Sequence, residues 1–373
     1  MQFLTQMPGF TIGFSILAFL LAVVVIVFIH EMGHFLMGRW AGVNIEAFSV
    51  GFGKEIFGFN DRHGTRWKLC WIPLGGYVRF EGDMNAASMP DASVKPSPKS
   101  LHGAVLWKRF LIVLAGPLAN FVLAIAIFTV AFAFVGTPVN EPRVDEVVAD
   151  GAAKAAGLMA GDFIRQIDGV AVKSFSDVQD TMFMHGTEPL NLVVERAGQN
   201  LNITLTPKVV EVEDSLGGKA KMTQIGIKHD PKNDPQVFVK LGPVDALSKG
   251  VHQTWTVVAA TLHQVGKIVT GNESSAQMHG PIGVAKVAGD TAMMGVWPFI
   301  AFIAFISISI GLVNLFPIPM LDGGHLLFYL IEGVIGRPVS PVAQEWSFRI
   351  GLSALLMLMV LVSTNDVLGL FRH

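Results

Sequence analysis

VVVIVFIHEMGHFLMG, residues 23–38, closes an apolar run that begins near Thr11. Ionisable and metal-binding groups are expensive at membrane depth, so two histidines and a glutamate at the end of such a run need a chemical reason. His30 and His34 stand at i and i+4, which places both on one helix face, one turn apart. That spacing suits a Zn²⁺ ion, with the intervening Glu31 beside the metal to take a proton from water. HExxH is short enough to arise by chance. The competing reading is a helix end carrying polar residues into the headgroup region. Short histidine side chains snorkel poorly, so metal ligation offsets the burial cost better.

The remaining composition supports a membrane setting. The chain has 373 residues, 51% hydrophobic and only 15% charged, against roughly 25% charged in a typical globular protein. A net charge of -2 gives no reason to expect nucleic acid. Cys70 is the single cysteine, which excludes an internal disulfide and a cysteine-cluster metal site.

Four segments have the length of spanning helices, about 20 apolar residues each: Thr11–Leu36, Val105–Val135, Trp297–Leu330 and Gly351–Leu370. The first is not expected to be a cleavable signal peptide, because residues 1–11 lack Lys and Arg. Basic residues concentrate between the first two spans, including Arg39, Arg62, Arg66, Lys68 and Arg79. The positive-inside rule then puts residues 37–104 in the cytoplasm and residues 136–296 outside.

The stretch 44–82 is rich in aromatic and β-branched residues punctuated by glycine, and is expected to form β-hairpins. Two readings fit its high apolar content: a sheet dipping against the membrane, or an amphipathic sheet on the bilayer surface. Residues 83–103 have the Ser, Pro, Asp and Lys content of a linker. After Gly136 the texture becomes that of a soluble domain with short alternating strands. GAAKAAGLMAGDFIRQIDGVAV, residues 151–172, resembles a PDZ domain of the kind attached to bacterial proteases. Gly161, Asp162, Asp168 and Gly169 are read there as turn formers. Such a module implies a peptide or protein partner by strand addition; it serves equally well as a size filter at the membrane entrance. Residues 243–270 have the pattern of an amphipathic helix on the outer membrane surface.

A catalytic zinc takes three protein ligands and keeps one position open. NLFPIPMLDGGHLL supplies the third as Asp322, after Pro317 and Pro319, which must break the helix. Spans one and three run in the same direction. Asp322 lies about 25 residues into its span and His34 about 23 into its own, so both come near the cytoplasmic end at about 1.5 Å per residue. His325 is the rival ligand. His63, His102, His185 and His279 have no metal-spaced partner and are read as surface residues.

HEMGH on the first span, Asp322 on the third and a PDZ-like insert between resemble the site-2 protease family, in its bacterial RseP-type branch of regulated intramembrane zinc metalloproteases. GGYVRFEGD (75–83), AGPLAN (115–120), HGPIGVAK (279–286) and GLVNLFPIPMLDGGH (311–325) extend the resemblance over nearly the whole chain. It implies zinc on His30, His34 and Asp322, with Glu31 as general base. It also implies that Asn314, Pro317 and Pro319 hold the substrate backbone, and that Gly75, Gly76, Tyr77 and Val78 guide a substrate strand. The implied substrates are membrane-spanning segments of single-pass proteins, such as anti-sigma factors or remnant signal peptides, cleaved at the bacterial inner membrane with the PDZ-like domain in the periplasm. Some members of this branch carry two tandem PDZ domains, whereas residues 137–207 account for one.

The expected fold is a polytopic α-helical membrane protein with four transmembrane helices, a membrane-associated β-element and one inserted extracytoplasmic PDZ-like α/β domain. Its segments are the first transmembrane helix (1–36), the cytoplasmic loop (37–104), the second transmembrane helix (105–136), the PDZ-like domain (137–207), a linker with the amphipathic helix (208–296), the third transmembrane segment (297–330), and a cytoplasmic loop with the fourth helix (331–373). The expected partners are membrane-spanning protein substrates, the lipid bilayer, and a peptide or protein at the PDZ-like domain. Two other classes fit parts of the pattern. A metal transporter places His and Asp on facing spans but has no use for Glu31, and a scaffold binds no metal.

Overall fold

A computed structural model of the chain describes residues 8–83, 97–139, 141–184, 187–213, 219–229, 237–270 and 280–370. Most of the expected linker at 83–103, together with His185 and His279, lies outside these residues. Two compact units are present, Met1–Ile127 with His279–Val367, and a second built mainly from Phe128–Met278.

In the first unit, α1 (Pro8–Ala41) is 34 residues long and apolar on every face as far as Ile29, the composition of a helix immersed in hydrocarbon. Its C-terminal half is gripped by a sheet of β1 (Ile45–Asn60) and β2 (Arg66–Phe80). Both strands bend so that the sheet is four stretches wide. Ala47 lies opposite Arg79 on one side and Arg66 on the other, and Arg66 in turn faces Asn60. The stretch at 76–80 is therefore an outer edge. Phe48 is fully buried and stacks on Trp67 at 4.4 Å, with Phe35 and Phe28 edge-on to it. This aromatic cluster pins the sheet to the helix. Phe57, Trp71, Ile72 and Leu74 stay exposed on the sheet's outside.

α2 (Leu106–Phe134) follows, with Pro117 inside it. Within the second unit, β3 (Thr137–Val139) leads to β4 (Glu146–Val147), α3 (Ala152–Ala155), β5 (Phe163–Ile167), β6 (Val170–Ala171), α4 (Phe175–Met184), β7 (Leu190–Arg196) and β8 (Gln199–Leu205). The four-stranded sheet has the order β6-β5-β7-β8. Alternating Leu190, Leu192 and Val194 of β7 are buried with Ile164, Val178 and Met182, the period-two pattern of a half-buried strand. The turn residues behave as expected, since Gly161, Asp168 and Gly169 all have positive φ.

The insert does not close at residue 207. The hairpin of β9 (Lys208–Glu213) and β10 (Lys219–Gln224) leads into β11 (Ile227–Lys228), which pairs with β4, and Ile225 joins the same apolar core. β12 (Val237–Val239) then zips onto β3. The stretch after 207 is polar enough to resemble a linker because its strands are short and its partners lie far back in sequence. α5 (Pro243–Val269) follows, with Val244, Leu247, Val251, Trp255 and Leu262 exposed along one face.

The first unit resumes with α6 (Pro281–Met294), which lies along the N-terminal half of α1. Small residues permit this approach. A methyl group on Gly289 would sit 1.9 Å from Ser15 Oγ, and Ala18, Ala22 and Ala288 are buried beside it. The expected span 297–330 is two helices. α7 (Val296–Leu315) has 20 residues, and α8 (Asp322–Ile335) starts only after a turn containing both prolines. The last helix, α9 (Pro341–Leu370), begins well before the expected Gly351. Its Asp366 accepts backbone N–H groups of Gly280, Ile282 and Gly283 at 2.8, 3.1 and 2.9 Å, capping α6 from another helix. Thr11–Ala41, Leu106–Phe134, Val296–Leu315 and Val342–Thr364 are each long and apolar enough to cross a membrane.

Candidate active site

His30 and His34 project from one face of α1, with Nε2 atoms 3.3 Å apart. Asp322 is the first residue of α8, where a carboxylate is favoured by the positive helix end. One carboxylate oxygen lies 3.1 Å from His30 Nε2 and the other 3.5 Å from His34 Nε2. The three donor atoms lie within 4.8 Å of one another, the one such metal-competent group of His, Cys, Asp or Glu among the described residues. His325 is turned elsewhere, its ring 5.3 Å from that of Phe348. Of the histidines read as surface residues, His102 is partly buried, 3.1 Å from Asp83.

The donor set fits a zinc ion on its own chemistry. Both oxygens of the Asp322 carboxylate are directed at the histidine Nε2 atoms, so a buried negative charge and two imidazole nitrogens converge on one point, a grouping that a bound cation compensates. The carbonyl oxygen of Ile112 lies 2.9 Å from His34 Nδ1. A carbonyl only accepts, so Nδ1 carries the hydrogen, and in the neutral ring Nε2 is left with the lone pair a metal needs.

Local sequence explains how helices come this close. On α1, a methyl group at Gly33 would sit 2.2 Å from the Ala115 carbonyl oxygen. On α2, a methyl at Gly116 would sit 2.2 Å from His34 Nε2. Asn120, one turn further, is fully buried with Nδ2 3.3 Å from His30 Nδ1. Gly116 and Asn120 thus face His34 and His30 turn for turn. Sequence reasoning noted AGPLAN but gave these residues no role. An asparagine four residues after a glycine, inside an otherwise apolar run, was the available signal.

Asp322 is delivered by the broken turn before α8. Ile318 donates its N–H to the Phe316 carbonyl at 2.7 Å, Leu321 bonds back to Ile318, and Met320 adopts a φ of 85°. A non-glycine residue with such a φ stores strain that the surroundings must hold. Gly323 and Gly324 let the turn fold onto the first turn of α8. Added methyl groups would sit 2.0 Å from the Phe316 carbonyl oxygen and 2.6 Å from that of Ile318. Pro319 also touches Gly351 on α9. Pro317 and Pro319 are therefore placed to shape the turn, and Asn314 is half-buried near the end of α7.

Glu31 is partly buried beside the triad, with the backbone N–H of Val78 on the side of its carboxylate. A methyl group at Gly76 would sit 3.0 Å from Glu31 Cγ and 2.9 Å from Val27. The outer edge of β2 therefore runs against α1 at Glu31. Gly75 and Tyr77 pack on the other side, against Phe52.

Two histidines and an aspartate converging on apolar helices, with a glutamate beside them, match the donor set of membrane metalloproteins of the zinc-hydrolase class. The comparisons give the family. Residues 18–358 match the model of Peptidase family M50. A relative from Rhizobium meliloti, named "Putative zinc metalloprotease", is 44% identical over 364 residues, covering 96% of this chain and 97% of its own. The metalloprotease MmpA of Caulobacter vibrioides is 35% identical over 389 residues, 97% of this chain and 96% of its own. This chain belongs to Peptidase family M50, and zinc is the metal of its family. Among solved structures, the PDZ domain of an SdrC-like protein from Listeria monocytogenes matches with 24% identity and a TM-score of 0.19, over 24% of this chain and 88% of that one.

Proposed function

We propose that this zinc metalloprotease hydrolyses peptide bonds in membrane-spanning segments of single-pass proteins, with His30, His34 and Asp322 as zinc ligands and Glu31 as general base. The observation that carries the reading is the convergence of those three donors beside Glu31 on helices otherwise built for hydrocarbon. Held by His30, His34 and Asp322, zinc would supply Lewis-acid polarisation of the scissile carbonyl and a lowered pKa for the attacking water. Glu31 accepts the water proton and returns it to the leaving amine. Val78 N–H orients the Glu31 carboxylate for that exchange.

A helical substrate hides its carbonyls in internal hydrogen bonds and must unwind before attack. The edge of β2 through Gly75, Gly76, Tyr77 and Val78 offers an unwound segment strand pairing beside Glu31. Family resemblance supports a role for Asn314 and the turn holding Pro317 and Pro319 in holding the substrate backbone. Family resemblance supports anti-sigma-factor-like proteins or remnant signal peptides as substrates. It also supports the bacterial inner membrane as the location, with the PDZ-like insert on the periplasmic side as a peptide-binding or size-filtering module.

The test compares purified wild type with Glu31→Gln in detergent, reading zinc content and cleavage of a model transmembrane substrate. Near-stoichiometric zinc in both, with cleavage confined to the wild type, is expected. Equal cleavage by both proteins would sink the assignment of Glu31.

A further inference from the structure

All three metal donors sit on α1 and α8, and α8 reaches the site across a broken turn. A short helix hung on such a turn needs something to fix its rotation. The start of α2 makes contacts that do this. Lys108 Nζ donates at 2.9 Å to the carbonyl oxygen of Ala41, the last residue of α1, where helical carbonyls run out of partners. The neighbouring rings of Trp107 and Trp40 meet edge-on at 6.1 Å. Arg109 turns the other way and grips Glu332 of α8 with two N–H groups, Nη1 to Oε2 at 3.0 Å and Nη2 to Oε1. Its guanidinium also lies 5.1 Å above the Tyr329 ring.

Asp322, Leu326, Tyr329 and Glu332 follow at spacings of three and four, so they form one face of α8. Leu326 and Tyr329 are buried in a cluster with Val113 of α2. Apolar contacts of this kind tolerate sliding and rotation. A planar two-pronged contact does not, because both hydrogen bonds fail when the carboxylate turns. The Arg109 and Glu332 side chains are 13% and 15% exposed, and a pair so withdrawn from water adds little net stability but is suited to fixing register.

We propose that Arg109 and Glu332, with Lys108 on the α1 side, are positioning residues for the metal centre. They bracket the ends of α1 and α8 so that Asp322 faces His30 and His34. The proposal rests on the reading that this triad binds zinc, and it adds residues remote from the donors that set the triad's geometry.

The experiment uses the full chain in detergent. Zinc affinity is measured by competition with a chromogenic chelator, and the Co²⁺-substituted protein gives a ligand-field spectrum of the site. Arg109→Lys keeps the charge but loses the fork, and Arg109→Gln loses both. Each is expected to weaken zinc binding about tenfold or more, the low end for losing a group that orients a metal ligand. Each also shifts the cobalt bands. The exchanged double variant, Arg109→Glu with Glu332→Arg, restores both readouts toward wild type. A purely structural pair would lower the melting temperature and leave affinity and cobalt bands unchanged in the folded protein, which overturns the proposal. An exchanged variant no better than the single ones also overturns it. A wild type that took up no zinc would instead bring down the metalloprotease reading, and the bracket with it.

Discussion

Gly116 on α2 and His34 on α1 are in contact where no other side chain fits: a methyl group at 116 would sit 2.2 Å from the Nε2 atom that faces Asp322. Position 116 is helical, where alanine is intrinsically the better residue by about 1 kcal/mol. Gly116→Ala is therefore expected to keep its helix while displacing the imidazole. Zinc affinity falls at least about tenfold, as for other losses of ligand orientation, with far-ultraviolet circular dichroism unchanged. Wild-type affinity in this variant would show that the contact is not what holds the ring.

Asn120 acts at the other histidine. For His30 Nε2 to face a metal, Nδ1 must carry the hydrogen, which an amide oxygen accepts and an amide nitrogen does not. Asn120 Oδ1 has no hydrogen-bond partner among the described residues, and Nδ2 lies 3.3 Å from His30 Nδ1. Half a turn of the carboxamide exchanges them. Asn120→Ala is expected to cost about 10–100-fold in zinc affinity, read by chelator competition, and Asn120→Asp to restore part of it. Equal affinities in all three proteins would remove Asn120 from the account.

Two glycines on α8 make a contrast. A methyl group on Gly323 would lie 2.0 Å from a backbone oxygen of the broken turn, whereas one on Gly333 meets only Leu106 Cδ2 at 3.4 Å. Gly323→Ala should push Asp322 out of place, at a cost of about 1–3 kcal/mol in stability typical of overpacking, with loss of proteolysis. Gly333→Ala should leave both nearly unchanged. Similar behaviour of the two variants in thermal melts and cleavage would refute the tight turn.

The insert carries its own pH dependence. Asp162 is fully buried, and burial alone would raise its pKa. Two N–H groups of Arg196 at 2.7 Å and that of Met159 at 2.9 Å outweigh this and hold the carboxyl below its ordinary value. A depressed folded pKa means the stabilisation is complete above the unfolded value near 4, and drains away as pH falls through the folded one. Asp162→Asn should weaken hydrogen-exchange protection of the Ile164 amide by about 2–3 kcal/mol at neutral pH, the scale of hydrogen bonds to a charged group. The variant should also flatten the loss of protection below about pH 4. Unaltered protection at neutral pH would contradict the ion pair.

The sequence alone determined what depends on local periodicity. His30 and His34 share a face because a helix returns every 3.6 residues, and Pro317 and Pro319 must end α7 because proline cannot continue the hydrogen-bond ladder. The length and apolarity of four segments likewise required spanning helices, whatever their partners. Tertiary structure decided the rest. Asp322 rather than His325 meets the histidines because the Phe316–Leu321 turn, packed on Gly323 and Gly324, sets the phase at which α8 begins. Gly116, Asn120 and the Ile112 carbonyl orient the two imidazoles because α2 crosses α1 at backbone contact there. Val78 reaches Glu31 only because β1 and β2 bend into four stretches with 76–80 outermost. Each of these joins residues far apart in the chain, and a distance across a fold depends on how whole elements pack, which no periodicity within one element encodes.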